Sequence, residues 1–520
     1  MLTNVASLFN RDNTPSPLAV AAATSTVLFG TLVLQCAWKS YQLSHLPQPP
    51  TSSFLFGHMF DTFGGVATWK TSGKYPEPFL SWIEKFGGAY HVREFLEHVV
   101  VVSDPVALQH ILVSNGPNYP RKQIAMDYFG DVVLGYGLLS VDGKQHDIYR
   151  KLMNPLFAVS KIKTFVEIFN SQTQLYCQNY LEPACDTHAP VNLSKMFTKL
   201  MLSIIGLTVL GYDYDKSPVA LEAYEQSMIE VSPLMLIGAF AIPGFLSFPI
   251  PSLIKRRKAQ NTLRNILTRI IHEKLANLAS EQPKDLLDMV LPHATTQEAV
   301  SHTVTFMLAG HDTSSNTLGF VFGMLTSHPQ AIAAIRAEYQ KIIAHYGSIS
   351  SWDAIADLEY THAVIQETLR LNAVAFAALQ RTTLANDNVP MSDGASIFIP
   401  QGTYIHINMA AMHRNSKYWS NPTKFIPERF IEGTPEWNAD LELRGGKPHT
   451  FHYMPFSMGS KNCIGQRFAM AEIQLIVATL VSKYDFTPTA KTDLHQEFSG
   501  ITLKPVKVEM TVRRVITPSS

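Results

Sequence analysis

The most clearly reactive side chain is the thiol of Cys463, which lies in a short loop between Gly459 and Gly465. Apolar residues recur at helical spacing from Gln466 onward, so we predict that this loop leads into the first turn of a helix. The unpaired backbone N–H groups and the dipole of such a turn stabilise a thiolate. The glycines allow a flat, bulky group to approach the backbone while N–H groups point at the sulfur. We therefore predict that Cys463 is an anionic metal ligand, suited to haem iron in a dry pocket.

A second set of reactive side chains lies between positions 309 and 315, inside a long predicted helix. A glycine inside a helix destabilises it by about 1 kcal/mol relative to alanine. The presence of Gly310 there therefore suggests that this position has a function. The Thr313 hydroxyl can bond the carbonyl four residues back and bend the helix. Beside the Asp312 carboxylate, the resulting notch could hold water and relay protons. The alternative interpretation is a polar kink without chemistry.

A third pattern predicts a buried ion pair. Glu367 and Arg370 are three positions apart on a predicted helix and therefore share a face. Most such pairs lie on the surface and contribute less than about 1 kcal/mol. The flanking residues here are apolar, which favours partial burial, and a buried pair needs further partners. The run that contains Arg429 can supply one, so we assign these residues to folding rather than to chemistry.

The spacing Phe456-x-x-Gly459-x-x-x-Cys463-x-Gly465 resembles the haem-binding signature of the cytochrome P-450 family. A buried free cysteine near a loop is the ordinary alternative for Cys463. The other two patterns resemble the acid–alcohol pair of that family's central helix and its Glu-x-x-Arg motif, and they occur in the family's order. This order is more specific than any single motif. The resemblance extends from a proline-rich segment near the N-terminus to the C-terminal strand.

The resemblance implies a mainly α-helical fold with a smaller β part, the cytochrome P-450 fold, preceded here by one N-terminal transmembrane helix. It implies one haem b (iron protoporphyrin IX) whose iron is bound axially by Cys463. It also implies that Asp312 and Thr313 deliver protons during oxygen activation. The same resemblance assigns a structural triad behind the haem to Glu367, Arg370 and Arg429.

The two haem propionates require cationic partners. The resemblance assigns this role to Arg150, Arg381 and Lys461. The family usually has an arginine where this chain has Lys461, and a tryptophan where it has His146. Lysine is a point charge rather than a planar fork. An imidazole N–H can still donate a hydrogen bond, so His146 is a further candidate partner of the propionates.

Composition limits the possible functions. The 520 residues include 42 basic and 42 acidic side chains, and a formal net charge of zero argues against a nucleic-acid partner. The chain has 4 cysteines, too few to predict a disulfide framework, although Cys177 and Cys185 could pair. No His-Glu-x-x-His or paired Cys-x-x-Cys motif supports a zinc site. We therefore expect a reducing compartment for most of the chain.

The N-terminal region predicts a membrane anchor. The uncharged run Leu18–Ala37 is long enough to cross a bilayer as a helix, and a cleaved signal peptide is the competing interpretation. Proline-rich residues follow as a stiff spacer. We divide the chain into a tail (1–17), an anchor (18–38), a spacer (39–52) and a catalytic domain (53–520).

Periodicity and capping residues predict most regular elements. Asp104-Pro105 is predicted to start a helix, and Thr295 and Glu298 are predicted to form a capping box. The predicted helices cover 78–86, 295–327, 329–345 and 358–371, and the predicted strands cover 90–93, 99–102, 397–399, 404–407 and 506–512.

Two further predictions concern the surroundings of the site. The basic run 255–258 is interpreted as a solvated helix face, with contact to anionic lipid as the alternative. The mainly apolar segments 119–136, 233–251 and 374–379, together with Ala309, are predicted to line the substrate pocket. A pocket of this kind favours a hydrophobic guest such as a fatty acid, terpenoid or sterol.

Together these observations predict a haem-thiolate monooxygenase that inserts one oxygen atom from O2 into a lipophilic substrate. No flavin-binding stretch is found, so the resemblance implies a separate NADPH-dependent cytochrome reductase, with cytochrome b5 as a second candidate electron donor. The anchor predicts a single-pass protein of the endoplasmic reticulum membrane, in contact with membrane lipid and with its catalytic domain facing the cytosol. Two alternatives stay open: a haem-thiolate isomerase, dehydratase or peroxygenase, and a haem sensor or carrier without turnover.

Overall fold

A helix of 30 residues, Thr296–Leu325, runs through the interior, and most of its side chains are buried. We call it the central helix. It begins with the predicted capping box, in which the Thr295 backbone N–H donates to the Glu298 carboxylate at 2.9 Å and the Thr295 hydroxyl accepts from the Glu298 backbone. Both bonds satisfy N–H groups that a helix start leaves unpaired. The computed structural model describes residues 17–213, 218–228, 235, 238, 242, 244–277, 285–376 and 380–515.

The helices are numbered in chain order, and the central helix is α14. In that order they are α1 (Pro17–Gln42), α2 (Met59–Ser72), α3 (Phe79–Phe86), α4 (Pro105–Gln109), α5 (Gln123–Val132), α6 (Gly143–Met153), α7 (Val159–Ile162), α8 (Val166–Tyr176), α9 (Glu182–Thr187), α10 (Leu193–Ile205), α11 (Pro218–Ser227), α12 (Pro251–Asn277), α13 (Leu286–Val290), α14 (Thr296–Leu325), α15 (Pro329–Tyr346), α16 (Trp352–Ala356), α17 (Glu359–Leu371), α18 (Met409–Met412), α19 (Pro435–Leu443) and α20 (Gln466–Lys483).

The smaller β part consists of short sheets. Its strands are β1 (Ala89–Glu94), β2 (Glu97–Val102), β3 (Val191–Asn192), β4 (Gln380–Thr382), β5 (Asp387–Pro390), β6 (Ser396–Ile399), β7 (Tyr404–His406), β8 (Tyr484–Pro488), β9 (Asp493–Phe498), β10 (Leu503–Lys507) and β11 (Glu509–Arg514). They form the sheets β1-β2-β7-β4, β10-β9, β3-β11-β8 and β5-β6. The architecture is the predicted one, mainly helical with a minor β component.

Most predicted elements are confirmed, and one strand prediction needs correction. The strands predicted over 90–93 and 99–102 pair as the hairpin β1–β2, with Tyr90 opposite Val101, and the Asp104 carboxylate caps α4, the helix predicted to start there. Strands β6 and β7 exist but do not pair with each other, because β6 pairs with β5 while β7 joins β2 and β4. The single strand predicted over 506–512 is wrong. The chain leaves β10, whose register shifts between Pro505 and Lys507, and enters a different sheet as β11. Proline has no N–H for a continuous ladder.

Helix α1 covers the whole predicted anchor and carries exposed apolar side chains, including Phe29, Leu34 and Trp38. Among the described residues, the helical stretch that is long and apolar enough to cross a membrane is Leu193–Leu210, and 72% of it is buried inside the protein. The bent pair of α14 and α15 passes the same test when it is taken as one span. The buried stretch is explained as a core helix, so the anchor at 18–38 stays a prediction.

Two further predictions are corrected by the structure, and others concern residues that it does not describe. Cys177 and Cys185 are both free, so the possible disulfide does not form. The basic run does not lie on one solvated face, because Arg256 is only 3% exposed and forms an ion pair with Asp131 at 2.5 Å. Arg257 donates to the Leu246 carbonyl at 2.8 Å. Residues 1–16 of the predicted tail 1–17, much of 233–251, and 377–379 lie outside the described residues.

Candidate active site

The Cys463 loop lies between a short helical turn and α20. The backbone N–H of Cys463 donates to the Phe456 carbonyl at 2.8 Å, which closes the loop. Gly459 has φ +79°, and a Cβ there would lie 2.0 Å from the Leu112 carbonyl oxygen, so the close approach requires glycine. The N–H groups of Gly465 and the following residue are directed at the sulfur. The predicted loop and its N–H donors are therefore present, and the role of Cys463 as a ligand stays a prediction.

The Cys463 sulfur is accessible although protein atoms surround it. By surface area its side chain is exposed, yet burial among protein atoms raises the pKa of its thiol. The two observations agree when the sulfur faces a space that protein encloses. The N–H donors of Gly465 and Gln466 and the positive charge of Arg150 lower the pKa of Cys463 against this effect of burial. A cation in the same position, such as iron, would favour the thiolate further.

A second internal opening lies on the central helix. Ala309 is exposed and Gly310, Asp312 and Thr313 are partly exposed, although the helix around them is buried. The Thr313 hydroxyl donates to the Ala309 carbonyl at 2.7 Å, which is the predicted bond to the carbonyl four residues back. The predicted hydrogen bond is therefore present, while the bend of the backbone and its use as a water-holding notch stay predictions.

Aromatic packing links the two openings. The Phe157 ring lies 5.6 Å from Phe306 on the central helix and 6.4 Å from Phe468 on α20, measured between ring centroids. Phe306 is about one turn before Gly310, and Phe468 follows Cys463 at a similar distance along the chain. The Phe157 ring therefore contacts both the central helix near Gly310 and the helix that follows the cysteine loop.

Buried cations are in excess at one edge of this region. Arg381 on β4 is 3% exposed, and burial together with Arg121 lowers its pKa to about 10. The backbones of these two arginines pair in an isolated bridge. Lys461 lies in the field of both and forms an ion pair with Asp142 at 2.9 Å. Three cations therefore share one carboxylate, and a further anion is needed to balance them.

His146 adds a buried imidazole to the same edge. It is 1% exposed, and its Nε2 atom is buried without a hydrogen-bond partner. Burial and the charges of Arg121 and Lys461 lower the pKa of His146. Its Nδ1 atom lies 3.3 Å from the Asp147 carboxylate, which can only accept, so the one N–H of the neutral ring is at Nδ1 and Nε2 is an acceptor. The cations of this edge fit a haem group, because its propionates would accept from them, whereas the donor role of His146 stays a prediction.

Two predicted propionate partners have other contacts. Arg150 donates to the Asn462 carbonyl at 2.5 Å and to the Asn462 side chain at 2.6 Å, so it holds the cysteine loop directly. Lys461 is paired with Asp142. The roles of Arg150 and Lys461 toward the propionates therefore stay predictions. Arg121 and Asp142, which sequence reasoning missed, belong to no motif, and only the packing of separate segments brings them together.

The predicted triad comes together in a fully buried cluster. Arg370 binds Glu367 through two nitrogens at 2.7 and 2.8 Å, and Arg429 lies 3.2 Å from the same carboxylate. Arg429 also pairs with Asp440 at 2.5 Å, a partner that the sequence did not suggest. The side chains of all four residues are 0% exposed. The positive and negative charges of these four ion-paired side chains are equal in number, and the neighbouring buried Arg444 donates to backbone carbonyls instead, so the four need no ligand.

The triad is connected to the cysteine loop through His413. Arg370 donates to the His413 carbonyl at 2.8 Å, and the His413 ring accepts from the Met454 backbone N–H at 2.9 Å. Met454 lies two residues before Phe456. Burial and the neighbouring arginines lower the pKa of His413 to about 3, so its ring is neutral and serves as an acceptor. The contacts of His413 therefore assign it a structural role.

Comparison with known proteins gives a consistent result. The sequence matches the family described as "Cytochrome P450" over residues 47–512. "Cytochrome P450 monooxygenase acrF" of Aspergillus aculeatus is 26% identical, with 78% of this chain and 86% of the relative covered. "Cytochrome P450 monooxygenase 205" of Postia placenta is 26% identical, with 89% and 90% covered. "Cytochrome P450 4A2" of Rattus norvegicus is 26% identical, with 88% and 87% covered.

Proposed function

The chain belongs to the cytochrome P450 family and is a haem-thiolate monooxygenase, and we propose that Cys463 ligates the haem iron while Asp312 and Thr313 deliver the protons. The observation that carries this proposal is the Cys463 side chain, which is accessible and has the backbone N–H groups of Gly465 and Gln466 directed at its sulfur. When bound, the haem supplies the activation of O2 that the side chains of the protein cannot perform.

The residues at the cation-rich edge would hold the haem propionates. Arg381 and Arg121 provide the positive charge, and the buried His146 ring borders them. Arg150 fastens the cysteine loop and keeps a positive charge near the sulfur. Lys461 forms an ion pair with Asp142, and its contact with a propionate is part of the same proposal.

The notch residues would handle protons. The Thr313 hydroxyl is held by the Ala309 carbonyl, so its oxygen can still accept a hydrogen bond from water or substrate. The Asp312 carboxylate is partly exposed beside it and can exchange protons with solvent. We expect Thr313→Ala to keep the haem and to release more hydrogen peroxide per NADPH consumed. Unchanged coupling between NADPH use and product would contradict the role of Thr313.

The substrate is proposed to be a small lipophilic molecule. Ala309 presents an apolar surface in the notch, and Val374 and Phe376 are buried apolar residues of a predicted lining segment. Tyr119, in another such segment, is buried and donates its hydroxyl to Asp387 at 2.7 Å. Titration with fatty acids, terpenoids and sterols, followed by the shift of the haem absorption band, would separate these classes.

The electron donor is proposed to be a separate NADPH-dependent cytochrome reductase, with cytochrome b5 as a second candidate. A surface depression of about 540 Å³ lies beside the cysteine loop and is lined by Arg150, Lys151, Asp147 and Asn462, among others. A donor with an acidic docking face would fit the two cations. We expect Lys151→Glu to raise the reductase concentration needed for half-maximal rate, whereas Lys144→Glu, outside the depression but on the same helix, leaves it unchanged.

The location is proposed to be the endoplasmic reticulum membrane, with α1 as a single-pass anchor and the catalytic domain in the cytosol. The exposed apolar side chains of α1 support this proposal. A chain that starts at residue 39 is expected to move from the membrane fraction to the soluble fraction. Recovery of that chain in the membrane fraction would contradict an anchor at 18–38 as the only attachment.

One assay tests the activity as a whole. Product formation should require NADPH, reductase and O2 together. Product without NADPH or O2 would favour an isomerase or dehydratase, and product from hydrogen peroxide alone would favour a peroxygenase. Haem binding without turnover of any lipid class would favour a sensor or carrier.

A further inference from the structure

The Asp312 carboxylate is held by residues from a distant part of the chain. The Thr502 hydroxyl donates to Asp312 Oδ2 at 2.5 Å. The Asn316 amide, one turn further along the central helix, donates to Asp312 Oδ1 at 3.3 Å. Both donors are neutral, so the carboxylate is oriented by hydrogen bonds rather than by these groups' charge. Thr502 is separated from Asp312 by 190 positions in sequence.

The Thr502 hydroxyl is itself fixed in place. Thr502 is 1% exposed and lies in the turn between β9 and β10. Its oxygen accepts from the Asn316 amide at 3.0 Å and lies 3.0 Å from the Ser499 hydroxyl. The Ser499 backbone N–H donates to the Thr502 carbonyl at 2.8 Å and closes the turn. The hydroxyl therefore has one defined direction for its proton, toward Asp312.

The same turn contacts a segment that is predicted to line the substrate pocket. The Leu503 backbone N–H donates to the Val374 carbonyl at 2.8 Å. The rings of Phe498 and Phe376 lie 5.5 Å apart. The turn that holds Asp312 is thus attached to the predicted pocket wall, so a shift of that wall would reach the carboxylate through Thr502.

We propose that Thr502 is a positioning residue for proton delivery: its hydroxyl holds the Asp312 carboxylate in the orientation from which it exchanges protons with water beside Thr313. This inference rests on the proposed role of Asp312. A purely structural role, in which the bond only ties the β9–β10 turn to the central helix, predicts a loss of stability without a change in proton transfer.

The test compares Thr502→Val, which keeps the shape and removes the hydroxyl, with Thr502→Ser, which keeps the hydroxyl. Each is made in the parent chain and in Asp312→Asn. The haem-loaded full chain is assayed with reductase and NADPH without added substrate, in H2O and in D2O. We expect Thr502→Val to slow NADPH oxidation about tenfold and to raise the solvent isotope effect, and Thr502→Ser to restore both. In the Asp312→Asn background, Thr502→Val should add no further slowing.

Two measurements separate positioning from folding. The melting temperature reports stability, with Thr511→Val on β11 as a control for loss of a threonine hydroxyl. The infrared carboxylate band of protein labelled with ¹³C at aspartate, taken as the difference between parent and Asp312→Asn, reports the hydrogen bond itself. We expect Thr502→Val to shift this band. An unchanged band, or a slowing that is equal in both Asp312 backgrounds, would overturn the proposal.

The outcomes also distinguish this proposal from the one on which it rests. If Asp312→Asn leaves the rate and the isotope effect at parent values, the proton-relay role of Asp312 itself is contradicted. If Asp312→Asn slows turnover and Thr502→Val does not, the relay stands and only the positioning role of Thr502 is contradicted.

Discussion

Two buried groups of arginines in this protein differ in their charge balance. In the triad cluster, Arg370 and Arg429 face Glu367 and Asp440, and every side chain is 0% exposed. At the cation-rich edge of the candidate site, by contrast, Arg121, Arg381 and Lys461 share one carboxylate, that of Asp142.

The difference separates folding from function. A balanced cluster is complete without a ligand, so it stabilises the fold only as long as all of its partners are present. An unbalanced cluster destabilises the empty protein and gains its compensation when an anion arrives. Buried charge therefore marks a binding site only where the opposite charge is missing, and sequence motifs alone do not distinguish the two cases.

The largest effect is expected at the balanced cluster. Arg370→Leu leaves Glu367 buried beside a single remaining arginine and also leaves the His413 carbonyl without its donor. Removing one partner of a buried pair costs about 3–5 kcal/mol. We expect most of the chain to be insoluble, and the soluble fraction to unfold at a lower urea concentration. Parent-like urea unfolding would contradict the account of this cluster.

A lone buried carboxyl extends the comparison to a group without any cation. Glu472 is 0% exposed, accepts from the Ser314 hydroxyl at 2.6 Å, and has its pKa raised to about 8 by burial. Because the folded pKa lies above the unfolded one, the stabilising effect of the neutral form is complete below about pH 4.5 and is lost as the pH rises through about 8.

The corresponding experiment measures the stability difference between the parent and Glu472→Gln against pH. The difference should move in favour of the glutamine variant by roughly 1 kcal/mol per pH unit between pH 5 and 8. A pH-independent difference would show that Glu472 is ionised in the folded protein and that burial does not control it.

The smallest of the expected effects lies at the cation-rich edge, where one substitution should raise the stability of the haem-free chain and lower its affinity for haem. Arg381→Met removes a buried cation whose pKa is lowered by burial and by Arg121. The haem-free chain should therefore melt at a higher temperature, while the affinity for haem falls about tenfold, the loss of one charged hydrogen bond. Arg269→Met, whose side chain is 69% exposed, is the control that should change neither value. A haem-free variant that is less stable than the parent would contradict the excess of positive charge.

Much of the site follows from short-range patterns in the sequence. The Cys463 loop, the capping box at Thr295 and the bond from Thr313 to the Ala309 carbonyl each depend on residues a few positions apart. Local geometry decides such features, because the chain between the partners is short. The family's order of motifs then relates the patterns to one another.

The remaining features depend on partners that are distant in sequence. Asp440 beside Arg429, Asp142 beside Lys461, and Thr502 beside Asp312 belong to no motif. The basic run failed as a prediction for the same reason, because Arg256 finds Asp131 on another helix. Sequence spacing identifies which side chains carry charge, but only tertiary packing decides which charges are paired.

The most direct test of the account concerns the bond between sulfur and iron at position 463. The reduced, haem-loaded protein is treated with carbon monoxide and its absorption is compared with that of Cys463→Ser at equal haem content. We expect the parent to show the red-shifted band of a sulfur-ligated haem, and the serine variant to lack it. A parent without this band, or a variant that keeps it, would contradict the assignment of Cys463 and with it the function proposed for the chain.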